Sequence, residues 1–256
     1  VSRRVRLRRT LAALVVLTLA VLVTVRLINR GGDEAPVAAV SSTSSPARTQ
    51  ATTPAATSSE DGGSATETAP VRTSVPQSGN GKLTVVSVPA MANPATGRTV
   101  RYTVEVEGGL DVDAAEVGRT VQAVLLDPKG WQKVDGVKFV NVSPAEAKDG
   151  KAVDIRVTLA SPALTDKLCA PMRTLSQVSC WNGERSVLNF RRWALGDDSY
   201  GDDVARYRIY QVNHEVGHGL GHGHAACPGK GKRAPIMVQQ TLSLGGCTPW
   251  PYPSGA

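Results

Sequence analysis

The carboxy-terminal two thirds of this 256-residue chain encode an α+β domain, and three observations point to that class. Short segments alternate apolar and polar residues, as half-buried strands do. Two longer stretches repeat apolar residues at helical spacing. All four histidines fall within eleven consecutive residues, 214–224, at the end of the second helical stretch. The first 79 residues are of another kind and are taken first.

Residues 1–9 form a basic tail with Arg3, Arg4, Arg6, Arg8 and Arg9. Thr10 to Val25 is uncharged, and Leu27 and Ile28 extend the run if Arg26 snorkels outward. The stretch 10–28 is close to the length of about 20 residues that a helix needs to cross a bilayer. The arginine excess before it predicts a cytoplasmic amino terminus, with the rest of the chain outside the cell membrane. A cleaved signal peptide and secretion form the competing reading. That reading needs small residues after the run, and Val25-Arg26-Leu27-Ile28-Asn29-Arg30 has none. A single-pass signal anchor is the preferred expectation. Residues 29–79, rich in Ser, Thr, Pro and Ala, bury too little apolar surface to offset ordering entropy and are expected to be a disordered linker.

Residues 80–256 are long enough for one packed core. The formal charge of +7 is divided unevenly, since residues 80–256 hold 20 Lys and Arg against 17 Asp and Glu. The domain itself is nearly balanced and shows no dense basic patch with interleaved aromatics, which excludes a nucleic-acid partner.

Thr99 to Glu107 alternates, with Val100, Tyr102, Val104 and Val106 on one side, and predicts a half-buried strand. Asp111 to Leu126 predicts a helix. Asp113 and Glu116 make a capping pair, Val117, Val121, Val124 and Leu125 an apolar face, and Asp127-Pro128-Lys129-Gly130 a stop. Val137–Val142 and Ala152–Leu159 predict strands, and Ser186–Phe190 a short apolar one. Asp202–Leu220 predicts the second helix.

The histidines stand in His214-Glu215-Val216-Gly217-His218-Gly219-Leu220-Gly221-His222-Gly223-His224. Positions four apart share a helix face, so His214 and His218 can grip one ion. Gly219 and Gly221 end the helix, with Gly221 in the left-handed conformation, and the turn returns His224 as third ligand. His222 is expected to face solvent or support the ligands, with replacement of His224 as its alternative. Three histidines leave one position of a Zn²⁺ ion open, the arrangement of a catalytic site. Bound zinc lowers the pKa of water to about 7, and Glu215, beside His214, is placed as the general base.

This H-E-x-x-H-x-x-G-x-x-H pattern resembles the metzincin clan of zinc peptidases. The resemblance implies a zincin-type mixed twisted sheet with two helices, the zinc helix being followed by a methionine turn. Ala234-Pro235-Ile236-Met237 supplies that turn, with Met237 beneath the metal. It also implies that the last strand before the zinc helix is an open edge pairing with extended substrate, here Val187-Leu188-Asn189-Phe190. Residues 81–250 are similar as well to a domain of unknown function in membrane-anchored and secreted actinobacterial proteins. Asn213-His214-Glu215-Val216-Gly217-His218, Cys227-Pro228-Gly229 and Ala234-Pro235-Ile236-Met237-Val238-Gln239-Gln240-Thr241 carry that likeness.

Cys169, Cys180, Cys227 and Cys247 allow three disulfide pairings. Sequence proximity favours Cys169–Cys180 and Cys227–Cys247. A second structural zinc on these cysteines lacks the usual C-x-x-C pair. Arg191 and Arg192 are expected to pair with Asp197, Asp198, Asp202 or Asp203, and Tyr200, Tyr207 and Tyr210 to pack. The expected function is extracytoplasmic, zinc-dependent hydrolysis of peptide bonds in proteins, peptides or the wall peptide. The alternative is a non-catalytic, zinc-stabilised module that binds a peptide or cell-wall component.

Overall fold

The computed structural model describes residues 75–256. The basic tail, the apolar stretch 10–28 and almost all of the linker lie outside those residues. Among the described residues no helix is long and apolar enough to cross a membrane.

The strands are β1 (Leu83–Val85), β2 (Arg98–Glu107), β3 (Val137–Asn141), β4 (Ile155–Ala160), β5 (Cys180–Trp181) and β6 (Arg185–Asn189). The helices are α1 (Ala114–Leu126), α2 (Trp131–Asp135), α3 (Pro144–Lys148), α4 (Pro162–Cys169), α5 (Phe190–Leu195) and α6 (Val204–Gly219). A 3-10 turn spans Asp198–Tyr200. The fold is therefore α+β. Two helices were expected, and α1 and α6 are the two long ones. The four others are single turns or little more, too short to show helical periodicity in sequence.

One mixed sheet runs β1-β2-β4-β6-β5, with β3 also on β2. β2, β4 and β6 are parallel neighbours, while β1 and β5 run antiparallel at the two ends. Val106 pairs with both Thr84 and Leu159, and Tyr102 with both Asn141 and Ile155. β1 and β3 thus share the long outer side of β2, one at each end.

The main core lies between this sheet and the long helices. Val100, Tyr102, Val104, Ile155, Val157, Leu159 and Leu188 from the sheet meet Val117, Val121 and Leu125 of α1 and Val212 and Val216 of α6. Helix α1 starts where the Asp113 carboxylate accepts from the Ala115 N–H at 2.8 Å. In α6 the Asp203 carboxylate accepts from the Arg206 N–H at 2.9 Å. A full capping box, Ser143 with Glu146, starts α3.

β2 departs from the expectation of one solvated face. Thr103, Glu105 and Glu107 are buried along with the apolar set. Glu105 is held by Arg156, Arg185 and the Thr158 hydroxyl. Glu107 accepts from the Gly81 N–H at 2.9 Å and the Ser161 N–H at 2.7 Å, tying β1 and the start of α4 to the sheet. Alternation is the same for a solvated face and for one covered by distant chain. Packing also begins ahead of Asn80: Val75 lies on the main core and the Gln77 carbonyl accepts from Ala163.

Cys169–Cys180 and Cys227–Cys247 are the two disulfides, the pairing that proximity favoured. Each stands in its own small apolar cluster, apart from the main core.

Glu107→Ala would strand the buried Ser161 N–H and remove the acceptor of the part-buried Gly81 N–H. We expect a loss of about 3 kcal/mol in the unfolding free energy, read from chemical denaturation. An unchanged midpoint would show that water replaces the carboxylate at no cost.

Candidate metal centre

Helix α6 presents residues 207, 210, 211, 214, 215 and 218 to a cleft of about 340 Å³. One wall is the chain from Met172 to Trp181, the other the segment 239–242. His224 closes the cleft from the loop beyond the helix.

The helix stops through local chemistry. Gly221 has φ +103°, open to glycine and disfavoured for other residues. The His222 N–H returns to the Gly217 carbonyl at 2.9 Å and the Gly221 N–H to His218 at 3.0 Å. This pair of bonds is the glycine-based helix stop expected from Gly219 and Gly221. It turns the chain so that His224 stacks over His214 with ring centroids 5.4 Å apart.

His214, His218 and His224 each offer one ring nitrogen, and the three atoms lie within 4.8 Å of one another. This group could hold a metal ion. The Nε2 atoms of His218 and His224 are 3.1 Å apart. His214 Nδ1 lies 2.9 Å from the Ile236 carbonyl, and His218 Nδ1 lies 2.8 Å from the His222 carbonyl. A carbonyl only accepts, so both Nδ1 atoms carry the proton and both Nε2 atoms keep a lone pair for a ligand. Burial pushes His214 down to about 4, against the pull of the Ile236 carbonyl, and the neighbouring imidazoles act in the same direction as burial. His224 is lowered by burial and by His218. Both are therefore neutral at pH 7, the form that binds metal.

His222 is not among the three. Its ring pairs with Asp135 at 2.8 Å and stacks on Trp131 at 4.3 Å between centroids. Its contribution is the carbonyl that orients His218. Trp131 in turn donates from its indole N–H to the Asn213 carbonyl at 2.9 Å. Asp135 and Trp131 escaped the sequence reading because nothing local links them to residues more than 80 positions away.

Glu215 lies in the cleft floor, 6% exposed, with Oε2 buried and without a hydrogen-bond partner. Burial alone pushes its carboxyl up to about 8. Met237, 5% exposed, packs under α6 at Gly217, where an added Cβ would lie 2.6 Å from its sulfur. Three tyrosines tie α6 and the 3-10 turn to the methionine segment. Tyr200 donates to Gln240 Oε1 at 2.8 Å, Tyr210 accepts from the Gln240 N–H at 2.9 Å, and Tyr207 meets Thr241 Oγ1 at 2.9 Å.

The expected substrate edge requires correction. Val187, Leu188 and Asn189 are fully buried, and β6 lies between β4 and β5. Phe190 is the first residue of α5, capped by the Asn189 side chain. The Cys169–Cys180 loop lays β5 on the outside of β6, so the edge facing the cleft is Cys180–Trp181. Arg192 pairs with Asp197 at 2.9 Å as the charge pattern suggested.

Fold and site thus define an α+β domain with a three-histidine group able to hold a metal ion. The chain belongs to the family described as protein of unknown function, DUF3152, whose model matches residues 69–252. No curated protein and no solved structure matches the chain.

Asp135→Ala should free His222 and loosen His218. We expect zinc affinity to fall by about tenfold, measured by chelator competition; equal affinity would remove Asp135 from ligand placement. Gly217→Ala should drive a methyl into Met237 and the Trp131 ring and cost about 1–3 kcal/mol, visible as a lower melting temperature.

Proposed function

We propose that this domain is a zinc peptidase of the metzincin type, acting on protein or peptide substrates outside the cytoplasmic membrane. The observation that carries the reading is Glu215. A buried carboxyl with an unpartnered oxygen is costly, and a purely structural metal site has no use for one beside its ligands. Here it follows ligand His214 in sequence and opens on the same cleft as all three imidazoles.

The donor set suits zinc. A tetrahedral zinc with nitrogen ligands at about 2.0–2.1 Å holds those nitrogens about 3.3 Å apart, close to the 3.1 Å between His218 and His224. The glycine-stopped helix, the third histidine and Met237 beneath the helix fit the metzincin pattern. When bound, zinc supplies Lewis acidity, polarising a carbonyl and bringing the pKa of water to about 7. The ionised form of Glu215, disfavoured by burial, is favoured by a divalent cation on the three histidines, and the carboxylate then takes the proton from the attacking water and returns it to the departing amine. The Ile236 and His222 carbonyls hold the ligand rings in place throughout. The location rests on the apolar stretch 10–28 and on two disulfides, which persist in oxidising compartments.

Incubation of the oxidised, zinc-loaded chain with a diverse peptide mixture, read by mass spectrometry, tests the proposal. The parent should cleave, a chelator should stop it, and Glu215→Ala should lose about a thousandfold in rate while keeping zinc. Cleavage that survives Glu215→Ala, or none by the zinc-loaded parent, overturns it and favours a binding module.

A further inference from the structure

The wall of the cleft between α4 and β5 is a strap, residues 170–179, built with unusual firmness. Leu175 and Ser176 both have left-handed backbone, with φ +53° and +58°, although neither is glycine. Such conformations persist only where the surroundings enforce them. Here Asp166 enforces them: its carboxylate accepts from the Ser176 N–H at 2.7 Å, from the Ser176 hydroxyl at 2.6 Å and from the Thr174 hydroxyl. The Cys169–Cys180 disulfide closes the base of the strap, and Arg192 donates to the Gln177 carbonyl at 2.7 Å.

What this scaffold presents to the cleft is Met172 and Arg173. Met172 is 53% exposed, and Leu242 on the opposite wall is 64% exposed. Arg173 is exposed and has no hydrogen bond or ion pair among the described residues, unlike Arg192, which pairs with Asp197. Among the cleft's lining residues the only carboxylate is Glu215, which is buried. The reachable charge of the cleft wall is therefore positive, and a divalent metal on the histidines would add to it.

We propose that Arg173 selects ligands that carry a carboxylate, and that the cleft takes acidic peptide segments with an apolar side chain between Met172 and Leu242. The guanidinium fork matches a carboxylate in two parallel hydrogen bonds. The pinned backbone at Thr174 and Ser176 fixes where the Arg173 side chain starts, so the side chain rather than the whole strap is what a ligand must order. This inference deepens the peptidase reading by naming a substrate class, and it rests on the same cleft. Its test is made on binding, so that it can fail or stand apart from catalysis.

The experiment uses the whole chain carrying Glu215→Ala, oxidised and zinc-loaded. Fluorescent random hexapeptide pools, each with one fixed position bearing Glu, Gln or Lys, are titrated by anisotropy. We expect the best Glu pool to bind about tenfold tighter than its Gln counterpart, a margin that shrinks in high salt. Arg173→Glu should reverse the order in favour of the Lys pool, and Arg173→Lys should keep part of the Glu preference. Equal binding of the three pools, no binding of any pool, or an order unchanged by Arg173→Glu overturns the inference. A Glu preference dependent on Arg173 in a chain that cleaves nothing would uphold the ligand class and overturn the peptidase alone.

Discussion

The site depends on the missing side chain at Gly217. A Cβ there would lie 2.6 Å from both the Met237 sulfur and the Trp131 ring, so its absence lets two separate chain segments meet the helix between His214 and His218. Each segment brings a constraint on one ligand. Trp131 begins α2, whose last residue Asp135 holds His222, and the His222 carbonyl holds His218. Met237 follows Ile236, whose carbonyl holds His214. One helical position thus bears on the orientation of two imidazoles, each touched directly by a backbone carbonyl, with the Asp135 carboxylate behind one of them.

The same economy appears on the other side of the methionine segment. The tyrosines at 207 and 210 lie seven and four positions before His214, on the face of α6 that carries it. Their hydroxyls hold the backbone at 238–240 and the Thr241 side chain, and Tyr200 adds the Gln240 amide. Burial raises all three phenols well above their usual range, so they stay neutral donors and acceptors. Their rings pack as the sequence predicts, with centroids 5.6–5.7 Å apart, and their hydroxyls also join the cleft floor to one of its walls.

How far the sequence could be read follows from the range of each interaction. The helix stop at Gly221, the core face of α1 and the disulfide pairings concern residues close in sequence, and spacing carried them. The burial of Glu105 and Glu107 did not show, because their partners lie some 25 to 80 positions away. The position of β6 failed for a related reason. A run such as Val187-Leu188-Asn189 looks alike at an edge and inside a sheet, and only the two-residue β5, too short to alternate, decides between them. Trp131, Asp135 and the Ile236 carbonyl form the immediate support of the histidines, yet they carry no signature, since two of these contacts are made by backbone oxygens.

The division of the apolar clusters shows how the cleft is built. The main core contains both long helices and the centre of the sheet, but no cysteine. Cys169 and Cys180 stand in a second cluster with Ala160 and Val187, and Cys247 in a third with Ala234 and Val238, against which Cys227 packs. These two clusters lie behind the two walls of the cleft, one under the strap and one beside the methionine segment. Each cluster is small, and a covalent closure lowers the entropy its loop would otherwise regain on loosening. Floor and walls are thus stabilised by different means. The floor takes its rigidity from the packed core, whereas each wall joins a covalent closure to the hydrogen bonds that hold it, the Asp166 carboxylate on one side and the tyrosine hydroxyls on the other.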